Sequence, residues 1–321
     1  MQLAEVRQIA DGIRKEIEKA VVGQADSVNL MLTALLAGGH VLLEGAPGTA
    51  KTLLAQCFAY TLDLQFGRIQ FTPDLMPGDI LGSNLFNFQT NSFTLTKGPI
   101  FCDVLLADEI NRTPPKTQAA LLEAMQEYQV TVGGVCHSLE RPLFVLATQN
   151  PIEQEGTYPL PEAQLDRFMF NVVIEYPSAD EERRILSMTT GSADPKVSAV
   201  ATGEEIERLH TLVRDVPAAA NTVDYAARLV RATRPASEEA PEFVRKWVRW
   251  GAGPRAGQAL LLGAKARALL EGHSVVDFAD ISAVALPVLR HRVLVNFQAE
   301  ADGIDADEIV RQLLTHVRAR G

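Results

Sequence analysis

Hydrophobic patterning divides this chain into a strand-containing part and a helical part. Five short apolar runs, bounded by polar or glycine-rich segments, have the continuous hydrophobicity of buried strands. These runs are residues 40–44, 66–71, 101–107, 143–148 and 168–176. Helical patterns lie between most of them, so the sequence predicts an α/β fold whose mostly parallel five-stranded sheet has helices on both faces. Ligands of such sheets bind beyond the carboxyl ends of the strands.

Two further segments alternate apolar and polar residues on both sides of a turn, which is the pattern of a β-hairpin. In the first, Phe86 and Phe93 lie on either side of a Thr90-Asn91 turn. In the second, alternating valines surround Gly133-Gly134. Neither hairpin is needed to complete the sheet. The pattern alone leaves open whether they are surface decoration or functional insertions.

Strand patterns stop after Pro177, and the remaining chain has helical periodicity interrupted by glycine and proline. The sequence therefore predicts an α/β domain at residues 1–177 and a separate all-α domain at residues 178–321. At the N-terminus, apolar residues at helical spacing between charges argue against a signal peptide. No run approaches the roughly 20 apolar residues that span a bilayer. We expect no membrane segment and a cytoplasmic location.

The composition is that of an ordinary globular protein with a net charge of −10. An acidic balance of this size disfavours nucleic acid as a partner. The 3 cysteines have no C-x-x-C spacing. We therefore expect reduced structural thiols, with no disulfide and no zinc site.

A glycine-rich segment follows the first predicted strand and precedes a helical pattern, which is the arrangement of a phosphate-binding loop. Its residues are Gly45, Ala46, Pro47, Gly48, Thr49, Ala50, Lys51 and Thr52. The backbone N–H groups of such a loop converge on an anion, Lys51 can reach the outer phosphates, and the Thr52 hydroxyl can hold Mg²⁺. The alternative is a chance turn before a surface lysine.

Ala50 stands where the usual motif, G-x-x-x-x-G-K-[ST], has its second glycine. We expect the backbone at this position to be helical already, in which case the methyl group has no conformational cost. Replacement of Ala50 by glycine would then leave nucleotide affinity unchanged within a few-fold.

Polar side chains also end two other predicted strands. Asp108 and Glu109 follow the third run, at the sheet edge expected for the phosphate loop. Asp108 suits a Mg²⁺ ligand, and Glu109 suits the base that orients or deprotonates water; a helix-capping pair is the alternative. Asn150 follows the fourth run and could hydrogen-bond the attacking water or the terminal phosphate, although an asparagine before proline is often only a turn residue.

Seven motifs, in this order, resemble those of AAA+ ATPases and more narrowly those of the MoxR family. They are VVGQ at residues 21–24, GAPGTAKT at 45–52, RIQFTPDLMP at 68–77, LADEINR at 106–112, ATQNP at 147–151, EAQLDRF at 162–168 and GAGPRA at 251–256. Alanine before the loop lysine is also tolerated in this family. The resemblance implies a P-loop core with an α-helical lid domain, ATP as the nucleotide and Mg²⁺ as its cofactor.

The resemblance also implies roles for individual residues outside the phosphate loop. Asn150 would be the first sensor, and the adenine pocket would be lined by Val21, Val22, Gly23 and Gln24. Arg167 would be the arginine finger that reaches the ATP of a neighbouring subunit. A salt bridge from Arg167 to Asp166 or Glu162 is the alternative.

Arg255 would be the second sensor, which touches the γ-phosphate from the first turn of a lid helix. A solvated arginine at a helix start is the alternative, and it is unattractive because the helix dipole disfavours cations at that end.

By resemblance, the protein would be an ATP-hydrolysing ring, hexameric, that remodels or matures protein clients together with a partner carrying a von Willebrand factor A domain. The two hairpins would be insertions at about residues 73–99 and 129–141 that face the pore or a client. Their only basic residues, Lys97 and Arg141, lie near their bases, which favours a protein client over nucleic acid. No membrane segment is expected in this chain, although its partner could be membrane-associated.

Three alternatives stay open. The chain could be the motor subunit of a metal chelatase, which shares these insertions, or a helicase-like motor. It could also be a nucleotide-dependent binding switch that hydrolyses little ATP.

Overall fold

The structure is a computed structural model that describes residues 3–89, 91–150, 156–191 and 196–318. Thr90 of the predicted hairpin turn and Pro151 of the asparagine motif lie outside the described residues. Within the described ranges, a five-stranded sheet with its helices is followed by a mostly helical C-terminal part.

The first part of the chain alternates strands with helices, as the sequence predicts. In chain order its elements are α1 (Leu3–Ile17), α2 (Ala25–Leu36), β1 (Val41–Gly45), α3 (Lys51–Thr61), β2 (Phe66–Gln70), α4 (Pro77–Leu81), β3 (Gly82–Asn87), β4 (Ser92–Lys97), β5 (Val104–Asp108), α5 (Pro115–Glu127), β6 (Gln129–Val132), β7 (Val135–Ser138), β8 (Phe144–Gln149), α6 (Glu162–Leu165) and β9 (Phe170–Ile174). A short 3-10 turn, Ile110–Arg112, lies between β5 and α5.

The strands of the central sheet run parallel in the order β2-β5-β8-β1-β9, which confirms the five predicted strands. The segments that leave β1, β5 and β8 therefore emerge together at the carboxyl edge of the sheet. The segment before β9 lies at the opposite, amino edge, where the Met169 N–H donates to the His40 carbonyl at 2.8 Å.

Alternate residues of β1 face opposite layers of helices. Val41 and Leu43 pack with residues of α1, α2 and α3, whereas Leu42 packs in a second cluster with residues of α5. Both faces of the strand are buried. For this reason its sequence is a continuous apolar run and does not alternate.

Both predicted hairpins are present, as the antiparallel pairs β3–β4 and β6–β7, and neither joins the central sheet. The two hairpins contact each other. The Asn84 amide donates to the Val132 carbonyl at 3.5 Å, and a Cβ atom on Gly133 would collide with the Asn84 side chain. The turn of the second hairpin therefore packs closely against the first hairpin.

The C-terminal part is a helical lid, as predicted. Its elements are α7 (Ala179–Thr189), α8 (Gly203–Asp215), α9 (Ala220–Ala232), α10 (Glu242–Trp247), β10 (Val248–Trp250), α11 (Pro254–Glu271), α12 (Phe278–Leu289), β11 (Leu294–Val295), α13 (Phe297–Ala301) and α14 (Ala306–Arg318). The sequence did not indicate the short antiparallel pair β10–β11. Strands of two or three residues are too short to produce a visible alternation.

The lid packs closely on the first part of the chain. α11 lies against α9 and α12 within the lid and against α1 and α2 outside it. Buried Leu260 and Ala264 of α11 belong to the same hydrophobic cluster as Val41 of the sheet. The core is therefore continuous, and a domain boundary at residue 177 stays a prediction. Among the described residues, no helix combines the length and hydrophobicity needed to cross a membrane.

His40, just before β1, links two neighbouring elements. Its Nδ1 accepts a hydrogen bond from the Val145 N–H of β8 at 3.1 Å, and its Nε2 lies 3.2 Å from the Met125 carbonyl of α5. This arrangement requires a neutral ring with its hydrogen on Nε2. Burial lowers the pKa of His40 from 6.5 to about 4, while the bond to the Met125 carbonyl acts in the opposite direction.

We expect His40 to make the folded chain sensitive to acid. The unfolded chain takes up a proton near pH 6.5, whereas the folded chain resists protonation down to about pH 4. The free energy of unfolding should therefore fall by about 3 kcal/mol across this interval. His40→Gln keeps a donor and an acceptor but cannot titrate, so urea unfolding should show a smaller loss. An equal loss in variant and wild type would contradict this account.

Candidate functional site

The segment between β1 and α3 forms a tight loop because two glycines permit it. A Cβ atom on Gly45 would lie 2.7 Å from the Ile174 carbonyl of β9, too close for any side chain. Gly48 has a φ of +80°, a conformation that glycine adopts without strain. The Thr49 hydroxyl donates to the Ala46 carbonyl at 2.8 Å and closes the turn.

Ala50 does not have the helical backbone that we expected from the sequence. It is the N-cap residue of α3 and has φ 60° and ψ 23°, in the left-handed region. For an alanine this conformation costs roughly 1–2 kcal/mol relative to the right-handed helix. The loop needs glycine-like geometry here, which explains the second glycine of the usual motif, and Ala50 adopts it under strain.

Lys51 begins α3 and points back into the loop. Its ammonium donates to the carbonyls of Gly45 at 2.7 Å and Ala46 at 2.8 Å. Burial lowers its pKa, while the nearby carboxylates of Asp108 and Glu109 raise it. The ammonium thus lies between the loop carbonyls and the two acids, where a bound phosphate would compete for its hydrogen atoms.

Asp108, at the end of β5, is held from both neighbouring strands. Its Oδ1 accepts from the Thr148 hydroxyl of β8 at 2.7 Å, and its Oδ2 accepts from the Arg68 guanidinium of β2 at 2.7 Å. Thr148 is fully buried and also accepts the Glu109 N–H at 2.8 Å. Sequence reasoning missed Thr148, although a lone hydroxyl in a buried strand was the available signal.

Glu109 follows β5 in a left-handed conformation, with φ 57°. Its Oε2 accepts from the Gln70 amide of β2 and from Arg112 Nε, both at 2.9 Å. Its side chain caps no helix, so the helix-capping alternative has no support. Unusual φ values of non-glycine residues are concentrated at functional sites. Gln70 is a second residue that the sequence did not single out.

One cavity of about 420 Å³ brings most of the predicted site together. The predicted residues that line it are Pro47, Gly48, Thr49, Ala50, Lys51, Thr52, Asp108, Glu109 and Asn150. A hydroxyl and a carboxylate, from Thr52 and Asp108, are the hard oxygen donors that Mg²⁺ prefers. The donor set therefore fits this ion, although Arg68 also binds one of the Asp108 oxygens.

A second cavity, of about 380 Å³, shares Gly48, Thr49 and Ala50 with the first and is more apolar. Val21, Val22 and Gln24 line it, as predicted for an adenine pocket. Gly23 lies between them with φ +74°, and a Cβ atom there would collide with the Glu181 carboxylate. The opposite wall comes from α7, through Ile185, Met188 and Thr189. The sequence gave no signal for this wall.

Arg255 does not lie at the phosphate loop of its own chain, which corrects our expectation for the second sensor. Its guanidinium pairs with Asp166 at 3.7 Å. Asp166 belongs to the segment before β9, at the amino edge of the sheet, whereas the loop follows β1 at the carboxyl edge. In this structure Arg255 is therefore not placed to contact a phosphate bound at the loop of its own chain.

Arg167 lies at the same amino edge and forms no salt bridge within the described part of the chain. The neighbouring Asp166 carboxylate is bound instead by Arg292 at 2.7 Å and by Arg255. The Nε atom of Arg167 is buried without a hydrogen-bond partner. The alternative role of Arg167, as a partner of Asp166 or Glu162, therefore finds no support. Arg292 was missed because nothing in its local sequence distinguishes it.

Ala50→Gly should relieve the strain in the loop. We expect the free energy of unfolding to rise by roughly 1 kcal/mol, because glycine adopts the left-handed region freely. Nucleotide affinity should stay equal or increase. Thermal unfolding and titration with a fluorescent ATP analogue measure the two quantities. Ala46→Gly, in the same loop, is the control, and a loss of stability in Ala50→Gly would contradict the strained geometry.

Comparison with known proteins agrees with this geometry. Residues 40–170 match the model of the ATPase family associated with various cellular activities (AAA), and residues 241–313 match the model of the AAA lid domain. The crystal structure of a proposed ATPase from Cytophaga hutchinsonii has a TM-score of 0.91 with this fold. It is 40% identical in sequence, and the match covers 98% of this chain and 96% of that one.

Two bacterial proteins are similar along nearly the whole chain. Chaperone MoxR1 of Mycobacterium tuberculosis is 42% identical over 302 residues, which cover 94% of this chain and 80% of that protein. The protein YeaC of Bacillus subtilis is 43% identical over 305 residues, which cover 95% of this chain and 92% of that protein. This chain belongs to the MoxR family of AAA+ ATPases.

Proposed function

We propose that this chain hydrolyses ATP in a Mg²⁺-dependent reaction at the carboxyl edge of its sheet. The observation that carries the proposal is the single cavity lined by the phosphate loop, Asp108, Glu109 and Asn150. An apolar pocket large enough for a purine base adjoins it. Triphosphate and base can thus be bound side by side.

Each group in the cavity has a distinct task. The loop N–H groups and Lys51 bind the phosphates, and Thr52 and Asp108 are placed to hold Mg²⁺. The ion, when bound, neutralises charge on the phosphate oxygens. Glu109 orients and deprotonates the attacking water, a role typically worth about 10²–10⁴-fold in rate. Asn150 supplies an amide to that water or to the terminal phosphate.

Among the described residues that line the cavity, Lys51 is the only cation, and it lies against the loop. Arg167 and Arg255 are the candidates for a second cation, but both lie at the amino edge of the sheet beside Asp166. A second copy of the chain that places its amino edge against the cavity would supply them. This complementarity supports a ring, and we propose a hexamer with Arg167 acting on the ATP of the neighbour.

We propose that the ring remodels protein clients in the cytoplasm, together with a partner that carries a von Willebrand factor A domain. Exposed aromatic side chains on the first hairpin support a protein client: Phe88 is 88% exposed and Phe93 is 69% exposed. Both contact Phe86, with ring centroids about 5 Å apart. A relative is named a chaperone, which agrees with this task.

Nucleic acid is a poor candidate for the substrate of these hairpins. Their basic residues are already in contact with aromatic rings of the same chain. The Lys97 ammonium lies 5.2 Å from the Phe101 ring centroid, and the Arg141 guanidinium lies 4.0 Å from that of Tyr128. The net charge of −10 for the whole chain also disfavours binding to phosphate backbones.

A set of single substitutions tests the catalytic assignment. Lys51→Ala should lose ATP binding, and Glu109→Gln should bind ATP normally but turn it over about 10²–10⁴-fold more slowly. Arg167→Ala should bind ATP and lose up to about 10³–10⁵-fold in rate. Steady-state ATPase assays and fluorescent nucleotide titration give the two readouts. Arg208→Ala removes a surface guanidinium that pairs with Glu204 and serves as the control.

Mixing the inactive variants tests whether Arg167 acts between subunits. Lys51→Ala subunits have an intact finger, and Arg167→Ala subunits have an intact phosphate loop. A mixed ring should therefore regain part of the activity that neither variant has alone. Mixtures that stay inactive, although fluorescence energy transfer shows that the subunits have mixed, would refute a role in trans.

The hairpin assignment predicts a loss of chaperone activity without a loss of hydrolysis. The double variant Phe88→Ser, Phe93→Ser removes the exposed aromatic surface and leaves the ATP cavity intact. We expect ATPase activity within two-fold of wild type, but weaker ATP-dependent suppression of aggregation of heat-denatured citrate synthase. Phe297→Ser, which alters a lid phenylalanine that is 84% exposed, is the control. Equal suppression by all three proteins would exclude this role for the hairpin.

A further inference from the structure

Three consecutive side chains of the lid bind the edge strand β9 or the segment just before it. Arg290, His291 and Arg292 follow α12, and we call them the clasp. Arg290 Nη1 lies 3.5 Å from the Asn171 carbonyl, and His291 Nε2 lies 3.1 Å from the Phe168 carbonyl. β9 is the last strand of the sheet; Asn171 lies within it, and Phe168 lies in the segment just before it.

Arg292 makes the densest contacts of the clasp. Its side chain is only 4% exposed, and its Nε donates to Asp166 Oδ1 at 2.7 Å. Nη2 donates to the carbonyls of Asp166 at 3.0 Å and Phe168 at 2.7 Å. Nη1 donates to the carbonyls of Met169 at 3.2 Å and Val288 at 2.6 Å. One planar guanidinium thus ties the end of α12 to the segment before β9.

Two of these acceptors, the carbonyls of Asp166 and Phe168, lie immediately before and after Arg167 in the chain. The bonds to Asp166 and Phe168 fix the backbone on both sides of it, and the Asp166 carboxylate is engaged by Arg292 and Arg255. Arg167 itself is left without a salt bridge in the described residues, with its Nε buried and unpaired. The surrounding bonds therefore hold the segment in place and leave the Arg167 guanidinium available to a phosphate.

We infer that Arg292 is a positioning residue for Arg167, and that through it the lid sets where the finger points across the subunit interface. This inference rests on the proposed role of Arg167 in trans. Arg292 belongs to the lid, and Arg255 of α11 binds the same Asp166. A shift of the lid relative to the sheet must therefore move or break the bonds on both sides of Arg167. Arg167 is correctly placed for the neighbouring site only when these bonds of the clasp are formed.

A purely structural role is the competing explanation, since the clasp also satisfies carbonyls of the edge strand and of the segment before it. The two explanations predict different effects when the contact is lost. Loss of an edge contact lowers stability and disturbs the whole chain. Loss of a positioning residue lowers the rate at the neighbour's site but leaves the chain's own ATP binding intact.

Arg292→Lys tests the inference. Lysine keeps the charge beside Asp166, but a single ammonium cannot span the acceptors that the fork bridges. We expect kcat to fall at least ten-fold with the KM for ATP within three-fold of wild type, and fluorescent nucleotide affinity to be unchanged. In mixtures with Lys51→Ala, which carries an intact clasp and finger, activity per Arg292→Lys subunit should rise several-fold.

Arg290→Lys is the matched control. Arg290 lies in the same clasp, but it binds Asp307 at 2.7 Å and the Asn171 carbonyl, away from Arg167. It should lower the midpoint of thermal unfolding with little change in kcat and no gain on mixing. A gain on mixing equal to that of Arg292→Lys would show a general effect of lid docking and overturn the inference.

The mixtures also separate this inference from the proposed function. If Arg167→Ala is rescued by Lys51→Ala and Arg292→Lys is not, the finger acts in trans but Arg292 does not position it. If neither is rescued, the role of Arg167 in trans fails, and the inference fails with it. Should Arg292→Lys not fold, Asp166→Asn, which weakens the same contact, takes its place in both mixtures with the same two outcomes.

Discussion

The parallel direction of the five central strands determines where each functional group can lie. The phosphate loop after β1, the carboxylates after β5 and Asn150 after β8 meet at one edge without any long connection. The segment before β9 begins at the other edge, about 13 Å away along a five-residue strand. Groups on that segment, Arg167 among them, therefore lie at the edge opposite the cavity of their own chain. Our proposal that a second copy of the chain completes the site follows from this division.

The two carboxylates at the carboxyl edge are held in place by the strands on either side of β5. Asp108 and Glu109 are adjacent acids that would repel each other if they were free to approach. β8 supplies Thr148 to Asp108 and to the Glu109 N–H, while β2 supplies Arg68 to Asp108 and Gln70 to Glu109. Each carboxylate therefore has its own donors and its own direction, as the roles proposed for them, metal ligand for Asp108 and base for Glu109, require.

The sequence predicted the fold and the cavity well because both depend on strand ends, and a strand end is visible as an apolar run followed by polar residues. It failed where the outcome depends on backbone conformation or distant packing. The left-handed geometry of Ala50 follows from the whole loop, not from the residue itself. Arg255 was placed at the phosphate by resemblance, although lid packing carries it to Asp166. Arg292 has no local signal, since its acceptors outside the lid lie more than a hundred residues earlier.

The charged character of the clasp is itself informative. A buried ion pair such as Arg292 with Asp166 contributes little to stability, because desolvation offsets most of the attraction and apolar residues would often do better. What a guanidinium adds is a fixed geometry, since its hydrogen bonds form only when the lid and the sheet are in one relative position. An apolar contact between lid and sheet could slide by an ångström at small cost, and Arg167 would slide with it. A bonded clasp has closed and open states instead, which is what the role proposed for Arg167 requires.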